Sequence, residues 1–205
     1  MKFDYNKLLK IAIVLSAFIG ILAHIISFGN PLQKFTYFTL QSNLLVGIIY
    51  LVLIFKKTRN RTLNIIENQV VVAIVLTGLV FNIMLRPAID ANVYNPNNFS
   101  DVLLHSLTPL LVIFDRILFN EKGNIRVYDP FFWLVYPLLY WLFTVVFVFL
   151  GGNFNTTNNE SNYPYFFMNF NEAGFGYFLL VIAFIVIIGY LIYLEDFLRN
   201  KKRSR

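Results

Sequence analysis

The stretch DVLLHSLTPLLVIFDR, residues 101–116, is apolar enough to enter a bilayer, yet it carries a histidine, a serine and a threonine between two carboxylates. Such groups are costly in hydrocarbon unless they face protein or water. The stretch therefore reads as one helix of a membrane bundle with its polar side turned inward. Asp101, His105, Thr108, Val112 and Asp115 recur at intervals of four and three, which puts them on a single helical face.

The rest of the chain has the composition this reading requires. Of 205 residues, 58% are hydrophobic and 14% charged, too little charge to cover a soluble domain of that length. Spanning a bilayer takes about 17–25 apolar residues. Six such runs are present, at 8–28, 36–55, 69–86, 102–119, 131–150 and 174–194. The expected fold is all-α, a single integral membrane domain over 1–205 built as a polytopic bundle of six transmembrane helices. The first run follows Lys2, Lys7 and Lys10, as a signal peptide would, but it lacks a small-x-small cleavage site and is read as a retained span. Cysteine is absent, so disulfides, thiolate metal sites and cysteine nucleophiles are excluded. With two histidines and no cysteine, no zinc site is expected, and no cofactor is expected either.

The net charge of +6 is read as a signature of orientation rather than of affinity for nucleic acid. Fifteen of the 17 Lys and Arg precede span one, follow spans two or four, or lie in the C-terminal tail, leaving Lys34 and Arg86 opposite. Positive-inside then gives both termini in the cytoplasm. The loop 151–172, with sequons at Asn155 and Asn159, holds no Lys or Arg and falls outside. The basic tail is read as a solvated anchor near anionic lipid. The Asn- and Lys-rich, cysteine-free composition points to a bacterial cell membrane.

Threading the spans in this orientation gives each polar residue a depth. His24 of span one, Thr39, Ser42 and Asn43 of span two, Asn82 and Arg86 of span three, and Asp101 and His105 of span four all fall in the outer half. Ser16, Gly20 and His24 are spaced by four, as are Thr39, Asn43 and Gly47, and Gly78, Asn82 and Arg86. Each set shares a helical face, and the simplest packing turns these faces toward one cavity. Tyr136, Pro137 and Tyr140 of span five lie deeper. Ser16, Thr77 and Ser106 read as interhelical glue. Asn43 and Asn82 read equally as glue or as donors to a ligand, and Arg86 as a donor or as a side chain snorkelling to headgroups. Tyr50, Trp133 and Tyr193, near span ends, read as an interfacial aromatic belt.

His105 is the least ordinary of these residues. A carboxylate at the i−4 position, Asp101, fixes an imidazole tautomer and raises its basicity. No GxSxG, HExxH or P-loop motif is present. The hydroxyls at the same depth are Thr36, Thr39 and Ser42, and any of them needs a neighbouring base to act as a nucleophile.

KFTYFTLQSNLL at 34–45, followed by LLHSLTPLLVIFD at 103–115, resembles the androgen-induced and androgen-dependent membrane proteins. These are multi-span threonine hydrolases of fatty acid esters of hydroxy fatty acids. The likeness is closest to the bacterial proteins grouped with them, to which WLVYPLLY and NYPYFFMNF are also similar. The family's threonine in a Tyr-x-Thr setting corresponds to Tyr37-Phe38-Thr39, and its histidine followed by a proline corresponds to His105 and Pro109. The resemblance implies Thr39 as acyl-accepting nucleophile and His105 as general base, with Asp101 orienting the imidazole. Asn43 or Arg86 would donate to the oxyanion, with Asn82 and His24 completing the substrate site. The expected partner is a membrane lipid or lipid ester. Two other readings fit the same residues: a lipid-binding or transporter bundle without chemistry, and a b-type haem protein with His24 and His105 as axial ligands.

Overall fold

The computed structural model describes residues 4–28, 31–56, 60–89, 94–119, 125–154 and 162–203, so the sequons at Asn155 and Asn159 lie outside the described residues. Helix is the dominant structure, and no strand occurs among the described residues. Six helices are long and apolar enough to cross a membrane. They are α1 (Tyr5–Phe28), α2 (Phe38–Phe55), α3 (Arg61–Leu85), α4 (Phe99–Phe119), α5 (Asp129–Phe149) and α6 (Phe170–Arg203). The chain is thus an all-α, multi-pass membrane bundle. Helix α1 packs along α2 and α4, α3 packs on α2 and α4, and α5 and α6 lie against α3. Gly20 permits the α1–α4 approach, because a Cβ there would sit 2.8 Å from Leu104 Cδ2.

Two helices outrun their apolar segments. Helix α3 starts at Arg61 rather than at 69, since Asn60 caps it by accepting the Leu63 N–H at 2.9 Å. Its polar first turns persist because they find partners: Asn68 donates to the Asn64 carbonyl at 2.8 Å and accepts from Arg116 at 2.6 Å. Helix α6 continues past 194 to Arg203, so the part of the basic tail up to there is helical. Asp196 is buried and accepts the Ile125 N–H at 3.2 Å, while Arg199 donates to the Ile117 carbonyl at 2.5 Å. The aromatic belt also needs correction. Tyr50 and Trp133 are each 1% exposed and belong to the core, Tyr50 with Ile13 and Val46, Trp133 with Val72 and Ile185. Distance from a span end says nothing about rotation, and here rotation turns both rings inward.

Charges are concentrated at one end of the bundle, where α1, α3 and α5 begin and α2, α4 and α6 approach their ends. Lys10 pairs with Asp115 at 2.6 Å with both side chains buried, and Arg116 contacts Glu195 at 3.3 Å. Arg61 pairs with Asp129 at 2.6 Å. Asp115 is therefore neutralised within the protein, on the far end of the same α4 face that carries His105. Lys10→Ala leaves the Asp115 carboxylate buried without its cation, a loss of roughly 3–5 kcal/mol, whereas Lys10→Met with Asp115→Leu costs far less. Thermal unfolding in detergent micelles checks this: the single variant melts well below wild type and the double variant recovers most of the difference.

Candidate active site

The opposite end of the bundle holds the polar residues of α2, α3 and α4. Thr39 lies in the first turn of α2, after Tyr37 at the cap position. Its Oγ1 is 3.2 Å from His105 Nε2. The other imidazole nitrogen, Nδ1, faces Asp101 Oδ1 at 3.5 Å. That separation is longer than a good hydrogen bond, as is common in ligand-free sites that tighten on substrate binding. Asp101 and His105 are buried and Thr39 is half-buried.

Local winding explains how His105 is presented. Helix α4 is π-wound over Leu103–Leu107, with the Thr108 N–H reaching back to the Leu103 carbonyl. Pro109 has no N–H to give, so the carbonyls it would have served in α or π geometry, His105 and Leu104, need other donors. Asn82 supplies one to His105 at 3.0 Å and Asn43 supplies one to Leu104 at 3.2 Å. Helix α3 is itself π-wound over Val80–Leu85, around Asn82, and such bulges recur at functional sites. Gly78 lets the two helices close, since a Cβ there would lie 3.1 Å from the His105 carbonyl oxygen. The imidazole lies flat on Phe81, with ring centroids 3.7 Å apart.

Asp101 is held from behind. Asn98 caps α4 by accepting the Asp101 N–H at 2.9 Å and donates to Asp101 Oδ2 at 3.0 Å, while the Tyr94 hydroxyl donates to the same oxygen at 2.6 Å. Burial first, and then the Asp101 carboxylate, push the Tyr94 phenol above its ordinary range, so it stays a proton donor. Oδ2 is thus occupied and Oδ1 is turned to the imidazole.

The remaining expected site residues fall into two groups. Asn43 and Asn82 adjoin the centre, but their N–H groups are engaged: Asn43 donates to the Thr39 carbonyl at 2.9 Å as well as to Leu104, and Asn82 to Gly78 at 2.9 Å as well as to His105. The atom Asn43 has left, Oδ1, is an acceptor and cannot stabilise an oxyanion. Arg86 and His24 have other partners. Arg86 is exposed and donates to Asn82 at 3.2 Å and to Asn97. His24 is half-buried against Phe28, with Nδ1 3.5 Å from Ser100 Oγ. His105 Nε2 is turned to Thr39 and its ring face is covered by Phe81. Ser16 bonds Thr108 at 2.8 Å and Thr77 bonds Ser42 at 2.9 Å, both as glue between helices.

Beside Thr39 opens a recess of about 660 Å³, mouth included, walled by Phe38, Leu76, Phe81, Trp141, Phe178 and Ile182. It lies among α2, α3, α5 and α6, beneath the segment that precedes α6. That segment brings Tyr165 to the same wall. The roles of Phe81, Tyr94, Asn98 and Tyr165 are not readable from the sequence pattern, with one exception. Asn98 followed three residues later by Asp101 is a helix-start signal and would have marked both as a local pair.

Fold and site together define a multi-pass membrane helical bundle with a threonine, a histidine and an aspartate in sequence beside an apolar recess. Comparison with protein-family models, with curated proteins and with solved structures returns no match for this chain.

Proposed function

We propose that this protein is a membrane-embedded hydrolase of lipid esters, with Thr39 as nucleophile, His105 as general base and Asp101 as the group that orients the base. The observation that carries this reading is Thr39 Oγ1 at 3.2 Å from His105 Nε2, on the wall of an apolar recess suited to an acyl chain. A hydroxyl placed against a base that is itself backed by a carboxylate is the arrangement that activates a nucleophile. The resemblance of Tyr37–Thr39 and of His105 with Pro109 to threonine hydrolases of fatty acid esters of hydroxy fatty acids supports the same chemistry. Thr39 Oγ adds to the ester carbonyl as His105 takes its proton. Collapse expels the alcohol with that proton, and water then releases the fatty acid from Thr39 by the reverse proton path.

The test is labelling by a fluorophosphonate hydrolase probe. Wild type is labelled and Thr39→Ala is not; equal labelling of both ends the reading. A lipid-binding bundle without chemistry is the second reading, favoured by the apolar lining of the recess. It predicts fatty-acid binding in wild type and Thr39→Ala alike, with no ester turnover in either.

The proposal places the protein in a bacterial cell membrane with both termini cytoplasmic, so that the ester enters laterally from the outer leaflet. The cysteine-free chain makes this testable by single introduced cysteines. Asn95→Cys and Asn158→Cys react with an impermeant thiol reagent added to intact cells, whereas Thr58→Cys and Ser204→Cys do not. The opposite pattern reverses the orientation.

A further inference from the structure

His105 meets the Phe81 ring of α3 in a geometry that neutral aromatic pairs avoid. The two ring centroids are 3.7 Å apart and the planes 12° from parallel. Carbon atoms in contact are already about 3.5–4.0 Å apart, so the rings overlap almost face to face. Neutral rings disfavour that sandwich, because each presents a negative π face, and prefer offset or edge-on pairs about 4.5–7 Å apart. The other aromatic pairs between described residues follow this preference, at 4.7–6.3 Å. A cation above the same face is attracted to it instead. We propose that Phe81 is a positioning residue whose π face stabilises the imidazolium that His105 becomes on taking the Thr39 proton. This inference rests on the reading of Thr39 as nucleophile and His105 as its base.

The charge arises only during the reaction. As Thr39 Oγ bonds to the ester carbon, the carbonyl π pair moves onto its oxygen and the Thr39 proton passes to His105 Nε2. Collapse returns the pair to the carbonyl, breaks the bond to the alcohol oxygen and gives the proton to the departing alcohol. In the second half a water oxygen bonds to the acyl carbon, its proton goes to His105, and collapse returns that proton to Thr39 Oγ. The imidazolium exists between the two transfers of each half. A group that attracts it more than the neutral ring therefore lowers the barrier and leaves substrate binding unchanged. Asp101 meets the charge at the Nδ1 edge, 3.5 Å away, and Phe81 meets it on the ring face. Phe81 and His105 are each only 7% exposed, and such desolvation strengthens the attraction. The π-wound turn of α3 fixes the placement. Asn82, next in sequence, holds the His105 carbonyl at 3.0 Å, so one turn grips the backbone of His105 and covers its ring. Phe81 also lines the recess, so its π character has to be tested apart from its size.

Fluorination makes that separation, because each fluorine draws charge from the ring face and leaves the shape of the ring nearly unchanged. Phe81 is replaced by mono-, di- and trifluorinated phenylalanine through amber suppression. These proteins, wild type, Phe81→Leu and Thr39→Ala are purified in detergent, assayed on methylumbelliferyl oleate and titrated with oleate. The expected result is a stepwise fall in kcat with each added fluorine, reaching roughly 5–30-fold for the trifluorinated ring, with KM and oleate binding unchanged. Phe81→Leu, which has no π face, loses at least as much kcat. Wild-type kcat throughout the fluorinated series, with Thr39→Ala inactive, overturns the role of Phe81 and leaves Thr39 as nucleophile. A loss that does not follow the number of fluorines, or weakened oleate binding at unchanged kcat, assigns Phe81 to the recess wall and overturns the role as well. Turnover that survives Thr39→Ala, or is absent from wild type, overturns the nucleophile reading and this one with it.

Discussion

Thr39→Ala and His105→Ala are each expected to reduce hydrolysis of a fluorogenic lipid ester to background, on the order of 10⁴–10⁶-fold below wild type. The double variant should be little worse than either single one, because the two groups act as one unit: without its base the hydroxyl is a poor nucleophile, and without the hydroxyl the base has no proton to take. The decisive measurement is the kcat/KM of all three variants with one substrate. Losses that multiply in the double variant would show that Thr39 and His105 act separately and would end the pairing read from their 3.2 Å contact. Both variants should remain folded. Thr39 is only half-buried, and His105 contributes its backbone carbonyl, not its ring, to the contact with Asn82.

Asp101→Asn is the second substitution with a large expected effect, a loss in kcat of roughly ten- to 10⁴-fold. The physical reason lies in the donors behind the carboxylate. Tyr94 and Asn98 both present hydrogens to Oδ2, at 2.6 and 3.0 Å, so an asparagine in this place must turn its own oxygen toward them. Its NH₂ then faces His105 Nδ1 and favours the tautomer whose proton sits on Nε2, the nitrogen beside Thr39. In that form the imidazole cannot accept the Thr39 proton. Tyr94→Phe with Asp101→Asn removes one of the two donors that enforce the orientation, and should recover part of the lost activity. No recovery, or full activity in Asp101→Asn alone, would make Asp101 a structural residue of the α4 N-terminus.

Much of this architecture is visible in one dimension. Lipid forbids unpaired backbone polar groups, so the six apolar runs imply helices, and six helices of spanning length are found. Alternating direction through the bilayer then sets depth, which is why Thr39, Asn82 and His105 come to one end although they are scattered in sequence. The ends of the helices were less visible. The start of α3 depends on the Asn60 cap and on Asn68 meeting Arg116, and the extension of α6 on Asp196 meeting Ile125, none of which hydropathy registers. Charge was misleading in a similar way: Lys10 and Arg116 count as topological charges in the sequence but lie buried against Asp115, Asn68 and Glu195.

The sequence by itself determined the membrane class, the number of spans, and the shared depth and helical faces of Thr39, Asn43, Asn82, Asp101 and His105, because composition and a 3.6-residue period are local properties. Only the tertiary structure decided which of these side chains line the recess or the polar centre beside it and which serve the backbone. Asn43 and Asn82 carry the same chemistry as an oxyanion donor, yet they satisfy carbonyls that Pro109 leaves without an N–H. That assignment depends on how α2 and α3 are rotated against the π-wound turn of α4. Tyr165, far along the chain and in a segment with no helical period, joins Thr39 on the recess wall because Phe167 and Met168 anchor that segment in the core. Rotation and loop closure are settled by packing between distant residues, and a helical period leaves both free.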